Sequence, residues 1–396
     1  MELVRKLGPL SRVKISQLAQ LRPSTVSVLT RELLKEGKLQ ETEISDNTMG
    51  RKAIQLRVNS EYGYVVSMEF DDTTVVAATL NLQNSIKSLI KEPTRLDGGV
   101  DELVLQLLRC ARMAMLEAKI DTNTVLGIAV ADPGLIDSQH GVSVVCSIID
   151  FWKQVPLERI FKEEFRVPFL LESGPRARTV AERVLGVGRM TENMVYVDYV
   201  GAGIGAGIIT EGKIFRGHRE GAGELGHTHV IANGPPCRCG SFGCLEAIAG
   251  TPALASRARS AVLEGSGSQV LALAEGDPEK ITGWMVFQAA KSGDKMCSAI
   301  IEEMEKYLGL AIANLVNLFN PSVVVLDRRL EVPGLLDQVS RIVRRQALAH
   351  LTEGLDIRFS TLGSEAGILG AGLLVMEKLF EVPALRPSRS HRVPTS

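Results

Sequence analysis

The residues from Glu224 to Glu246 read Glu-Leu-Gly-His-Thr-His-Val-Ile-Ala-Asn-Gly-Pro-Pro-Cys-Arg-Cys-Gly-Ser-Phe-Gly-Cys-Leu-Glu. Three of the six cysteines lie here, as Cys237, Cys239 and Cys244, and His227 stands ten residues before the first. Three soft thiolates and one imidazole make a closed tetrahedral zinc set that leaves no position for a catalytic water. Gly234, Gly240 and Gly243 allow a short loop to fold back on one ion. The plain alternative is a group of ordinary buried cysteines. A disulfide is the weaker reading, because nothing in the sequence points to secretion.

Several elements must hold such a loop. The chain has 396 residues, 45% hydrophobic and 23% charged, which suits two or three globular domains. No apolar run is long enough for a transmembrane helix, and the N-terminus lacks an apolar leader. A cytoplasmic location is expected, in keeping with a thiol-rich metal loop. Charge is uneven. Residues 1–60 carry eleven Lys/Arg against six Asp/Glu, a net +5, which leaves −6 on the remainder. A basic head on an acidic body points to an anionic partner for the head.

Within the head, residues 10–39 read as two short helices and a turn, with Ile15, Leu18 and Ala19 on one apolar face and Val26, Leu29, Leu33 and Leu34 on the next. Pro23 fits the first turn of the second helix, and Gly37 ends it. Alternation over 53–58 after a polar turn predicts a two-stranded wing. Such a helix would enter the major groove with Ser24, Thr25, Ser27 and Arg31 nearest double-stranded DNA, while Arg51 and Lys52 on the wing would meet phosphate or the minor groove. Arg22 precedes the helix, so its N-cap lacks a short acceptor side chain. Beyond the head, apolar runs predict strands over 64–70 and 74–82, 125–130, 168–171, 195–199 and 203–209, and 322–326. Helices are expected over 103–118, 176–185, 304–318 and 367–378. Two related α/β lobes facing one cleft would account for this order. The tail from 381 to 396, rich in Pro, Ser and Arg, is expected to be disordered.

Gly223-Glu224-Leu225-Gly226-His227 followed by Cys-x-Cys-Gly-x-x-Gly-Cys-Leu-Glu resembles the zinc signature of the ROK family, which contains sugar repressors and sugar kinases. The likeness extends over nearly the whole chain. Leu10-Ser11-Arg12 and Gly50-Arg51-Lys52 look like the winged helix-turn-helix of its repressors, and Asp132-Pro133-Gly134 like its Pro-Gly loop. The resemblance implies an α/β chain in which a winged helix-turn-helix (1–60) precedes a two-lobed actin/hexokinase-like ATPase fold of the ribonuclease H-like type. The small lobe would span 61–182, completed by a helix at 365–380, and the large lobe 183–364. It implies that Glu224, His227 and Glu246 touch sugar hydroxyls while His227 also binds zinc, and that Gly134 and Ser147 line the same pocket. A homodimer or higher homo-oligomer is the expected assembly.

The departures from the family's kinases are informative. Their Asp-x-Gly-Gly-Thr phosphate turn is Glu69-Phe70-Asp71-Asp72-Thr73 here, so the carboxylates of Asp71 and Asp72 stand where phosphate oxygens would lie. The second turn, usually Gly-Thr-Gly, reads Gly201-Ala202-Gly203; the third, usually Gly-Gly, reads Asp327-Arg328. The Asn-Asp pair that supplies the catalytic base is Ser173-Gly174, which puts Gly174 at the base position. A DNA-binding regulator with a catalytically silent, sugar-sensing body is the expected function. A sugar kinase with an unusual ATP mode, and a regulator that no longer senses sugar, are the rivals. Arg176 and Arg178 follow the altered pair. They read as a solvated helix face or, more sharply, as partners for an anionic group, which would favour a modified or acidic sugar.

Overall fold

The computed structural model describes residues 1–43 and 54–380. The chain divides into two compact units, Met1–Tyr62 with the residues from Met376, and Gly63–Val375. Arg51, Lys52 and the tail 381–396 lie outside the described residues.

In the first unit, helix Arg12–Ala19 starts at Ser11, whose hydroxyl accepts from Lys14 N, and stops where Gln20 turns left-handed at φ 52°. Helix Pro23–Lys35 follows after a short turn, with Pro23 in its first turn and no side-chain cap from Arg22. Strands Leu39–Glu43 and Ile54–Val58 pair antiparallel, and Leu10–Ser11 adds a third strand beside Ile54–Val58. Ile15, Val26, Leu39 and Leu56 form the core. Two expected core positions are not there: Leu18 is 40% and Leu29 45% exposed. With Val13, Leu21 and Val28 also outside, so small a unit buries only Ile15 on the first of these helices and Val26 and Thr30 on the second.

The second unit contains the same five-stranded pattern twice. Tyr64–Phe70, Thr74–Asn81 and Ile86–Pro93 run as an antiparallel meander, and Val125–Asp132 and Phe169–Ser173 extend the sheet in parallel on the other side of Tyr64–Phe70. Met194–Val200, Gly203–Thr210 and Lys213–Ile214 repeat the meander, and Val323–Leu326 and Asp356–Phe359 repeat the parallel extension. Both orders are 3-2-1-4-5, so the two sheets share one topology. The third strand Ile86–Pro93 escaped the sequence reading because its charges alternate on an exposed face. Helix Lys295–Phe319 covers the second sheet through Met304, Leu308, Ile312 and Val316. It begins nine residues before the expected start, because Asp294 caps it by accepting from Cys297 N at 2.9 Å. Helix Ala366–Phe380 lies along the first sheet, where Ser67 Oγ donates to Ile368 O at 2.5 Å.

Candidate functional site

The metal loop is built from a short helical turn, Leu225–His227, and a loop that closes back on Cys244, the residue before helix Leu245–Ala249. Pro236 pairs with Phe242, and His229 with Cys244, as isolated bridges. Gly243, at φ +67°, passes so close to Ile231 that a Cβ would lie 2.0 Å from its carbonyl oxygen; only glycine fits. One ligand atom from each of His227, Cys237, Cys239 and Cys244 lies within 4.8 Å of the others. His227 Nδ1 is 3.6 Å from Cys237 Sγ, and Cys239 Sγ is 3.8 Å from Cys244 Sγ. In a tetrahedral site with metal–sulfur bonds of about 2.3 Å and metal–nitrogen of about 2.0 Å, sulfurs stand about 3.8 Å apart and sulfur and nitrogen about 3.5 Å. The four groups therefore already have the spacing of one ion's ligands. Burial pushes the Cys244 thiol up to about 12, whereas the backbone amide of Ser241 lowers that of Cys239.

A cleft with a cavity volume of about 80 Å³ opens between the two sheets of this unit. Gly134, Ser147, Arg176, Glu224, His227 and Glu246 all line it. Glu246, 9% exposed, accepts from Ile204 N at 3.2 Å and stands against the turn at Gly203. The Pro133-Gly134 loop is held by Asp132, which accepts from Gly134 N at 2.8 Å and from Trp152 Nε1 at 3.1 Å. Burial raises that carboxyl to about 6, against the pull of these donors.

The two arginines correct the sequence reading, since neither is solvated and neither offers a free charge. Arg176 is 2% exposed; its Nε donates to Glu172 Oε1 at 2.6 Å and its Nη1 to Glu220 O at 2.5 Å. Arg216 holds the other oxygen of Glu172 at 2.5 Å. Arg176 Nη2 makes no hydrogen bond among the described residues and lies 3.8 Å from Glu220 Oε2. Arg178, 6% exposed, joins Glu69 at 2.5 Å to Asp198 at 3.4 Å. Glu69 belongs to strand Tyr64–Phe70 of the first sheet and Asp198 to strand Met194–Val200 of the second, so one guanidinium ties the sheets together. Burial raises Glu69 to about 7 and Asp198 to about 6, each opposed chiefly by Arg178. The preference for an acidic sugar thus loses the cation on which it rested.

Two of the three turns compared with the kinases' phosphate turns hold an acidic side chain bonded within the turn itself. Asp71 does not project toward an open site. Its Oδ1 accepts from Thr73 N at 2.7 Å, Thr74 N at 2.7 Å and Thr73 Oγ1 at 2.6 Å, which engages two of the turn's backbone amides. Asp72 Oδ1 is buried against the Gly201 turn and has no hydrogen-bond partner among the described residues. Ala202 is 7% exposed. Asp327 caps the next turn by accepting from Arg329 N at 2.8 Å, forms a two-point ion pair with the Arg329 guanidinium and accepts from Tyr196 OH at 3.1 Å. At Gly174 a Cβ would come within 3.1 Å of Arg178 Nη1, so the guanidinium fills the space at the base position. Sequence reasoning missed Glu69, Asp198, Glu172, Glu220 and Arg329. Two of them had a visible signal: Glu69 and Asp198 are lone acids inside otherwise apolar strands.

On the first unit, Ser24, Thr25 and Arg31 are exposed along helix Pro23–Lys35, and Arg31 makes no hydrogen bond or ion pair among the described residues. Ser27 is half-buried, and its hydroxyl donates to Pro23 O at 2.9 Å, so its proton is held within its own helix. Arg12, which opens the helix pair, bonds Thr30 at 3.2 Å and Glu41 at 2.9 Å and braces the helices against the sheet.

Comparison with known proteins bears on this geometry. The model of the ROK family matches residues 106–378. The xylose repressor of Caldicellulosiruptor bescii is 30% identical over 94% of this chain and 93% of its own length. A glucokinase of Halalkalibacterium halodurans is also 30% identical, over 80% of this chain and 96% of its own. The crystal structure of a ROK family transcriptional regulator, a homologue of the Escherichia coli Mlc protein, superposes with a TM-score of 0.82 at 26% identity and covers 96% of this chain and 94% of its own. The kinase matches little beyond the second unit, whereas the repressor and the regulator also account for the helix pair in front of it. With its duplicated sheets, its Cys/His loop and most of its length matched in this way, the chain belongs to the ROK family.

Proposed function

We propose that the chain is a sugar-responsive, DNA-binding transcriptional regulator whose kinase-like unit binds a sugar without phosphorylating it. One observation carries this reading. The amides and spaces that would receive a nucleotide's phosphates and a catalytic base are taken by Asp71, Asp327 and the Arg178 guanidinium. Phosphoryl transfer depends almost wholly on positioning and electrostatic stabilisation of the phosphate, and the amides of Thr73, Thr74 and Arg329 already serve Asp71 and Asp327. The sugar would instead meet Glu224 and Glu246 as acceptors, with Gly134 and Ser147 beside them and Arg176 Nη2, which makes no hydrogen bond among the described residues, as a donor. Since the arginine charges are paired, a neutral sugar fits better than an acidic one.

His227, Cys237, Cys239 and Cys244 would hold one structural zinc. The ion supplies no open position; it fixes the loop that presents His227 and Glu246 to the cleft. The first unit would dock helix Pro23–Lys35 in the major groove of an operator through Ser24, Thr25, Ser27 and Arg31, with Arg51 and Lys52 on the wing. Repression relieved by the sugar is the logic we favour, in a homodimeric cytoplasmic protein whose DNA-competent population the ligand shifts. No helix among the described residues is long and apolar enough to cross a membrane.

Genome-wide mapping of bound DNA, followed by operator binding measured with and without the sugars of the neighbouring genes, tests the reading. Sugar-dependent release with no ATP-dependent sugar phosphorylation is expected. Turnover that disappears on mutation of cleft residues would overturn it in favour of a kinase.

A further inference from the structure

The cleft has two chambers. The inner cavity of about 80 Å³ has room for roughly six water-sized spheres, the scale of one sugar ring's hydroxyls. It opens into an outer cavity of about 930 Å³, and the two share Gly134, Ser147, Ile148, Glu224 and His227. Their chemistry differs. The inner wall carries Glu69, Arg176, Arg178, Asp198, Glu220 and Glu246. The outer wall carries Leu96, Val145, Ile149 and Phe151, with Asp150, Lys153 and Arg238 also lining it. That wall is firmly held: Leu96, Ile148 and Phe151 pack on the core of the first sheet, and the neighbouring Trp152 is fixed by Asp132 and stacks edge-on to Phe70 at 5.2 Å.

A free monosaccharide would leave this apolar wall wet. The C–H faces of a second sugar ring, or of an aryl aglycone, complement it, because aromatic and aliphatic side chains bind such faces by excluding water. We infer that the effector is a glycoside, with one ring seated in the inner chamber and its linked residue lying over Leu96 and Phe151. The inference rests on the sugar-sensing reading above.

Burial of about 60 Å² of additional apolar surface corresponds to about a tenfold gain in affinity. Isothermal titration of the full-length protein with xylose, glucose and N-acetylglucosamine, and with xylobiose, cellobiose, chitobiose and the p-nitrophenyl glycosides, tests it. At least one glycoside should bind tenfold or more tightly than its parent sugar. Phe151→Ala and Leu96→Ala should each abolish that gain and leave the parent sugar's affinity unchanged. Phe151→Leu, which keeps the packing but removes the ring face, serves where the alanine variant loses the fold. Glycosides that bind no better than their parents, or a gain that survives both substitutions, overturn the inference while leaving a monosaccharide sensor intact. Binding of neither sugar class overturns the sensor reading and this inference together.

Discussion

Arg178→Met is the most informative perturbation of the kinase-like unit. The wild-type guanidinium is 6% exposed and faces two carboxylates, Glu69 at 2.5 Å and Asp198 at 3.4 Å. Methionine fills much of the same volume but leaves both acids buried without their main counter-charge. Removing one partner of a buried pair destabilises a protein by about 3–5 kcal/mol. The unit spans Gly63–Val375. At about 2.1 cal/mol/K per residue, its unfolding entropy is roughly 0.66 kcal/mol/K, so Tm should fall by about 5–8 °C.

The deficit should also depend on pH. Glu69 is already raised from 4.5 to about 7 in the folded protein, and the lost guanidinium was the largest influence holding it down. A carboxyl with a raised folded pKa destabilises the fold once pH exceeds its unfolded value, and its full cost is reached above the folded value. The deficit should therefore be largest near pH 8 and shrink toward pH 5, where Glu69 and Asp198 take up protons. Calorimetric or fluorescence melts at both pH values measure it. Arg178→Met combined with Glu69→Met and Asp198→Leu should recover most of the loss, because neither acid is then left buried without its counter-charge. A Tm drop below about 2 °C, or a deficit that does not change with pH, would refute the assignment of Arg178 as the charge that holds the two sheets together.

Metal analysis of purified protein should find one zinc per chain, and Cys239→Ser should lower both the metal content and Tm; a metal-free protein with normal stability would remove the zinc proposal. Arg31→Ala should weaken operator binding and reduce the slope of log affinity against log salt by about one, the signature of one lost phosphate contact, as read in a fluorescence titration at several salt concentrations. Ser27→Ala should change binding far less, since its proton already serves Pro23 O. Glu305, 5% exposed on helix Lys295–Phe319, is raised by burial to about 7 and makes no hydrogen bond among the described residues. Glu305→Gln should thus stabilise the protein at pH 8, by up to about 3 kcal/mol, and lose that advantage by pH 5, where the native acid is neutral; urea melts at the two pH values would show it.

What the sequence determined by itself was mostly local. Apolar runs such as Tyr64–Phe70 and Gly203–Thr210 define strands because both faces of a central strand are covered, and Pro23 marks a helix start because its missing N–H is unused there. The four residues that could hold a metal were legible from type and spacing, since few other arrangements place three cysteines and a histidine in so short a loop. The identities of Gly174, Ala202 and Asp327 were legible as departures from the residues expected at a catalytic base and at phosphate turns. Only the tertiary structure decided what filled the vacated space. Arg176 and Arg178 lie on helix Gly174–Val184, whose polar face packs inward, so a pattern that reads as solvated became a buried ion network once strands from both sheets brought Glu69, Asp198 and Glu172 to it. Likewise Asp71 could repel a phosphate or cap its own turn, and only the backbone path through Thr73 and Thr74 selects the second. Leu18 and Leu29 stand outside for a related reason: periodicity says which residues share a helix face, but the elements packed against that face decide how much of it is covered.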